Sequence, residues 1–340
     1  FHRVIPWFVI QGGDPNSRNA DRGDDGEGEA TRRLKGEFTP GWHYRPGSVG
    51  MARDVDPDSG AYHVPLAVNV DVGPSGEVSR RPGFSRVAEG NFHSLWSDGR
   101  EAAYAGFGDG LVRIVPDVHD PAGVVVDTVA SGLTPGAPVC FLGVAGRVYY
   151  ANGFETGVIA DGRAGAWGGA AAMFRPGDFV DPPSGHLLEY HAGRIFIASS
   201  ETVYFTQGAG ALHLLDPAGG FLPVRGGRVR LLAAVDDGLF VGTDREVFFA
   251  AGRDPKDFLY RRVMDEPPLP GTGLRGPGAD MEPVIGRPIA GKAVVWADRR
   301  GVCLGLAGGR VERLIRLPLP EAGHGAALAG PKGWLFLLSP

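Results

Sequence analysis

Cysteine, long apolar runs and surplus positive charge are all scarce in this sequence, and each scarcity removes a class of protein. Only two cysteines, Cys140 and Cys303, occur in 340 residues. Two cysteines set no disulfide framework, and no Cys/His pattern with zinc-ligand spacing accompanies them, so no metal is expected. Each lies within an apolar run and reads as a small core residue. No apolar stretch approaches the roughly 20 residues needed to cross a bilayer, and no signal peptide is visible, so no membrane partner is expected. The net charge of −5 argues against broad attraction to phosphates, and nucleic acid is not an expected partner.

Cofactor motifs are missing as well, and none is expected. There is no Walker loop. Gly271-Thr272-Gly273-Leu274-Arg275-Gly276 has the spacing of a dinucleotide fingerprint, but it follows Pro267-Pro268-Leu269-Pro270 rather than a strand, and no helical pattern follows it. Asp21-Arg22-Gly23-Asp24-Asp25-Gly26 invites a calcium-loop reading. Aligned on Gly26 as the sharp turn, the third and twelfth ligand positions fall on Gly23 and Arg32, and both fail the pattern. That stretch reads as a solvated loop. The nine histidines are scattered; His186 and His191 flank Leu187–Tyr190 and read as surface or satisfied polar groups. The first residue is Phe1, so the chain reads as cut from a longer one, with any targeting signal upstream.

What the sequence has in abundance is turn chemistry: 55 glycines and 28 prolines without a Gly-X-Y period. The run Val235–Ala250 shows its use. Leu239-Phe240-Val241-Gly242, the polar turn Thr243–Glu246 and Val247-Phe248-Phe249-Ala250 read as one β-hairpin. The same unit recurs. The turns Asp98-Gly99, Ala145-Gly146, Ala192-Gly193, Asp237-Gly238, Ala290-Gly291 and Lys332-Gly333 have glycines spaced by 47, 47, 45, 53 and 42 residues. Each precedes an apolar strand: 102–105, 148–151, 195–198, 239–241, 293–296 and 334–338. In the five complete copies a second strand follows: 111–115, 157–159, 203–205, 247–249 and 302–306. A period near 45 with about four strands per unit is the signature of β-propeller blades. The expectation is an all-β chain, a propeller of about five to six blades over residues 62–340, with five full units and a sixth that stops at Pro340. A strand near Leu66–Val72 is the candidate to complete that last blade. Asp236, Asp237 and Asp244 read as turn residues.

The segment before Ala61 differs in composition and carries the sharpest pattern. Phe1-His2-Arg3-Val4-Ile5-Pro6-Trp7-Phe8-Val9-Ile10-Gln11-Gly12-Gly13-Asp14, then Glu37-Phe38, Arg45-Pro46-Gly47-Ser48-Val49-Gly50-Met51-Ala52-Arg53 and Pro57-Asp58-Ser59-Gly60, resembles the cyclophilin family of peptidyl-prolyl cis-trans isomerases, in the right order. The resemblance implies that Arg3 is the catalytic donor, that Phe8 lines the pocket for the proline ring, that Gln11 hydrogen-bonds the substrate backbone, and that Met51 and Ala52 belong to the later pocket segment. The chemistry suits such residues. A prolyl bond isomerises slowly because amide resonance raises a barrier of roughly 18–20 kcal/mol. Lowering it needs an apolar pocket and a donor that favours the twisted amide, without nucleophile or metal. Along one strand Phe8 and Ile10 share a face and Gln11 lies on the other, so a twist or bulge is expected to bring Gln11 to the pocket.

The resemblance spans about the first 60 residues, the middle of the family's domain. Nothing supplies the two strands and helix that precede this stretch in the family. After Gly60 the family continues Ser-Gln-Phe-Phe-Ile, whereas Ala61-Tyr62-His63-Val64-Pro65 stands here. The other pocket aromatics, the leucine and the histidine of the family's second half have no matching positions. The segment is therefore read as an incomplete cyclophilin-like domain, residues 1–61, joined to the propeller.

Residues 65–340 resemble β-propeller structural proteins of tailed phages and prophages, through Ala67-Val68-Asn69-Val70-Asp71, Ser79-Arg80-Arg81-Pro82-Gly83-Phe84 and Asp236–Asp244. That resemblance implies a virion or assembly role without catalytic residues to carry over. The expected partners are thus proline-containing peptide segments and other virion proteins, and the expected location is cytoplasmic or virion-associated.

Overall fold

Short apolar strands separated by glycine turns form one antiparallel sheet after another. The computed structural model describes residues 3–5, 9–11, 70–72, 78–80, 86–316 (save 98, 100, 101, 121, 122 and 209), 323–330 and 333–339. The chain divides into two compact units, Phe1–Arg86 and Val87–Pro340. In the first, β1 (Arg3–Ile5) pairs antiparallel with β2 (Val9–Gln11), and β3 (Val70–Val72) pairs with β4 (Val78–Arg80). The composition change at Ala61 lies outside the described residues.

The second unit is a series of four-stranded meanders. The first blade is β5 (Phe92–Ser97), β6 (Ala103–Phe107), β7 (Gly110–Pro116) and β8 (Val124–Ala130). The second is β9 (Cys140–Val144), β10 (Arg147–Ala151), β11 (Thr156–Ala160) and β12 (Arg163–Ala166). The third is β13 (Leu187–His191), β14 (Arg194–Ser199), β15 (Thr202–Phe205) and β16 (Phe221–Pro223). The fourth is β17 (Val229–Val235), β18 (Gly238–Thr243), β19 (Val247–Ala251) and β20 (Leu259–Met264). The fifth is β21 (Leu274–Pro277), β22 (Lys292–Asp298), β23 (Gly301–Leu306) and β24 (Arg310–Arg316). Strands β25 (His324–Gly330) and β26 (Gly333–Ser339) form a two-stranded sheet. Five full units and a shorter last one agree with the sequence period.

Each blade is hydrophobic on both faces, and that is why it needs neighbours. Strand β18 is buried along its whole length and alternates between two cores. Leu239 and Val241 pack with Phe196, Ala198, Val203 and Phe205 of the third blade, while Phe240 packs with Trp296, Val294 and Cys303 of the fifth. Other junctions repeat the scheme. Leu142 and Tyr149 of the second blade meet Leu188, Ile195 and Ile197 of the third. Leu111 of the first meets Phe141, Tyr150 and Ile159 of the second. Trp334 and Phe336 of β26 pack onto the Val295 and Leu304 side of the fifth. A one-residue register slip in β18 would exchange the two cores, so pairing is strongly specified. Three of the described tight hairpins carry a positive φ at both turn positions: Ala145 (+50°) with Gly146 (+78°), Asp161 (+50°) with Gly162 (+74°), and Ala192 (+46°) with Gly193 (+84°). That geometry matches the right-handed strand twist and places glycine where it is least strained.

One helix departs from the sequence reading, which found no helical pattern after Gly276. α1 (Gly278–Ile285) follows β21 directly and ends at Gly286, whose φ of +77° lets its N–H reach Glu282 O at 2.8 Å. Eight residues with Pro283 inside are too few to show a 3.6-residue period. The helix also explains why the 53-residue spacing is the longest. The fingerprint reading stays excluded, because Leu274, Arg275 and Gly276 belong to β21, which pairs antiparallel with β22.

Candidate functional site

Of the residues expected to act on proline, the structure describes the backbone of two. Arg3 opens β1 and Gln11 ends β2, and the register makes them direct partners: Arg3 with Gln11, Val4 with Ile10, Ile5 with Val9. Partner positions in an antiparallel pair lie on the same face of the ladder. The expected twist or bulge concerns Gln11 relative to Phe8, and Phe8, like Met51 and Ala52, lies outside the described residues.

In the propeller several polar side chains are bonded across blades. First strands of several neighbouring blades contact one another: β9 with β13, β13 with β17, and β21 with β25. Arg275 of β21 reaches the second blade, where its Nη2 donates to Phe141 O of β9 at 3.4 Å. Glu189 of β13 is the buried group there. Its carboxylate accepts from Ala234 N of β17 at 3.0 Å and from Tyr190 N at 2.8 Å, and its Oε2 lies 3.4 Å from Arg275 Nε. The first strand of a blade has backbone donors on its free edge with no further strand to receive them, and Glu189 receives one. Cys140 stands beside this pair and accepts from Leu188 N at 3.2 Å. Burial raises its thiol above the ordinary value and outweighs the opposing pull of Arg275, so it is not an activated nucleophile. Burial also works against the Arg275 charge, but Glu189 and Cys140 more than offset it and hold the guanidinium protonated.

A second buried pair sits in the fifth blade. Arg313 grips Asp298 with both fork nitrogens, at 2.6 and 2.7 Å, and Asp298 also accepts from Arg300 N at 2.8 Å. Cys303 Sγ lies 3.4 Å from the same carboxylate. Burial first, and then Asp298, push that thiol up. Both cysteines are free, as small core residues would be.

The histidines and aspartates singled out in sequence act as tethers. His186 donates to Val229 O at 2.7 Å and the buried His191 to Gly252 O at 2.8 Å, so both tie the third blade to the fourth. Asp236 accepts from Lys292 N at 3.0 Å and Asp237 from Gly308 N at 2.8 Å, tying the fourth to the fifth. Asp244 stays within its own blade, on Arg228 N and Arg230 Nε. They are turn residues, as expected, and two of them also bridge blades, which no sequence pattern marks. Among the described residues no group of three or more His, Cys, Asp or Glu is placed to hold a metal ion. Nor, among them, is any helix long and apolar enough to cross a membrane.

The comparisons divide as the chain does. The model of the family of cyclophilin-type peptidyl-prolyl cis-trans isomerases matches residues 1–64. No curated protein matches the sequence. The similar solved structures are β-propeller-like. A streptogramin B lyase shares 13% identity and a TM-score of 0.43, over 72% of this chain and 76% of the other. A protein from Lactobacillus plantarum shares 14% identity and a TM-score of 0.43, over 72% and 75%. PorZ, a surface component of the type-IX secretion system of Porphyromonas gingivalis, shares 12% identity and a TM-score of 0.38, over 74% of this chain. The chain spans 37% of PorZ, and 28% and 34% of the chains in two structures of the same extracellular domain from B. thetaiotaomicron.

Proposed function

We propose that this chain carries a cyclophilin-type segment that acts on X-Pro bonds, joined to a propeller that serves as a non-catalytic scaffold. The observation that carries the first half is the family match over residues 1–64, supported by the pairing of Arg3 with Gln11 in register. In this reading Arg3 donates to the twisted amide, Phe8 receives the proline ring, Gln11 holds the substrate backbone, and Met51 and Ala52 complete the pocket. Such a site works by binding the twisted state more tightly than the planar one. The test is exchange NMR on a proline-containing peptide with the full chain and with Arg3→Ala. Accelerated cis-trans exchange that disappears in the variant is expected. Equal rates for the two proteins at high concentration would remove the activity.

A second reading is favoured by the way the propeller's polar groups are used. Glu189, His186, His191, Asp236 and Asp237 are all engaged in holding blades together. A scaffold of that kind suits a structural or assembly protein of a phage or prophage particle, as the sequence resemblance of residues 65–340 implies, with other virion proteins as partners and a cytoplasmic or virion-associated location. Deleting residues 1–61 should then leave the propeller's thermal transition in place, whereas loss of that transition would count against this reading.

A further inference from the structure

The outer rim between the fourth and fifth blades holds a cavity of about 470 Å³, open to solvent and lined by Arg261, Arg262 and Val263 of β20 and by Gly308, Gly309 and Arg310 at the β23–β24 turn. Three arginines are among its lining residues and no acidic residue is. We propose that it is a binding site for the phosphate group of a small phosphorylated molecule.

The turn that forms one wall is held in place from the fourth blade. Gly308 is gripped at both of its backbone polar groups: its N–H donates to Asp237 at 2.8 Å and its carbonyl accepts from Arg261. Gly308 and Gly309 both have positive φ, +71° and +67°, and a Cβ on Gly309 would lie 2.6 Å from the Phe249 ring. Only glycine fits there, so the wall is set by packing rather than by a ligand.

The cations are incompletely neutralised. Among the described residues Arg261 makes no ion pair with a carboxylate, and its printed partner is the Gly308 carbonyl. Arg310 pairs with Glu312, but Arg287 draws on that same carboxylate. Arg262, the next residue of the strand, points to the opposite face, where it has Asp265 at 3.2 Å and Glu246 at 3.6 Å, so the forks offered are those of Arg261 and Arg310. A planar carboxylate satisfies one guanidinium fork, whereas a tetrahedral dianion accepts from several at once. The depression is open to solvent, which leaves room beside a phosphate for the rest of an ester. Both observations point to a phosphate ester.

The test is calorimetric titration of the full chain with glucose 6-phosphate, inorganic phosphate, glucose and acetate. Saturable binding of the ester and of phosphate, weakened by salt and absent with glucose, is expected. The double variant Arg261→Ala/Arg310→Ala should weaken it about tenfold or more, while Arg163→Ala, on the exposed edge of the second blade, should not change it. The Arg261→Lys/Arg310→Lys pair keeps charge and side-chain stem but removes the forks; it should also bind more weakly, and it carries the comparison if the alanine pair does not fold. No saturable heat from either phosphate up to about 10 mM, acetate binding as tightly as phosphate, or undiminished affinity in the lysine pair would overturn the proposal.

Discussion

Replacing Glu189 with alanine should destabilise the propeller by about 3–5 kcal/mol, the range found when one partner of a buried charged pair is removed. The figure follows from what the carboxylate holds. Two backbone donors, Ala234 N and Tyr190 N, lose their acceptor, and an unsatisfied buried donor costs about 1–3 kcal/mol. Arg275 loses its counter-ion, but its side chain is 32% exposed and water screens it, so that part adds about 1 kcal/mol or less. Glu189→Gln keeps one acceptor oxygen and should cost about half as much. Arg275→Met leaves the two backbone bonds in place and should cost less than Glu189→Ala.

Urea unfolding followed by tryptophan fluorescence measures all three, because Trp167 and Trp296 are 4% and 0% exposed and report the packed state. A double-mutant cycle of the alanine and methionine changes then isolates the ion pair, with an expected coupling of about 1 kcal/mol. A loss below about 1 kcal/mol for Glu189→Ala would refute the view that this carboxylate fastens the third blade to the fourth.

Two further outcomes follow from the blade junctions. A Cβ on Gly305 would stand 2.8 Å from both the Phe240 and Trp296 rings, so Gly305→Ala should overpack that junction and cost about 1–3 kcal/mol by the same urea assay. Burial, opposed by the bond to Val229 O and reinforced by Arg228 and Arg230, holds His186 below the ordinary imidazole value. The folded chain then keeps this ring neutral while the unfolded chain takes up a proton, so stability should fall as pH drops through about 6.5, and His186→Gln should flatten that slope in melts between pH 7.5 and 5.

The blade core was legible because its central strands bury both faces. Strands β14, β18, β22 and β23 read as unbroken apolar runs after a glycine turn, and the structure extends each by a residue or two at its ends. The outer strands were not individually visible. β20, Leu-Tyr-Arg-Arg-Val-Met, is exposed over its first four residues, and its pattern is that of a solvated edge rather than of a run. Glu189 was invisible for the opposite reason. A single acid in Leu-Leu-Glu-Tyr-His looks like the polar half of an alternating strand, and only the neighbouring blade supplies the donors that make it an interior group. At the leading end, the family pattern named Arg3 and Gln11, but the distance between them along the chain concealed that they are partners, a fact held in hairpin register rather than in composition.

The tethers show where function has room to lie in the second unit. Packed sheets leave few polar groups to spare, because each junction must satisfy the backbone donors and acceptors that its strands and turns present. Between the third and fourth blades that demand is met by Glu189, His186 and His191; between the fourth and fifth, by Asp236 and Asp237. Each of these side chains bonds a backbone atom of the next blade, and each would have to abandon that bond to take part in chemistry. The depression beside Arg261 and Arg310 is built differently: Asp237 and Arg261 secure its wall through the N–H and C=O of Gly308, and Arg310 shares one carboxylate, Glu312, with Arg287. Assembly therefore consumes the polar groups between the blades and leaves incompletely neutralised charge at the rim, where a ligand can add to the bonds that the fold already makes.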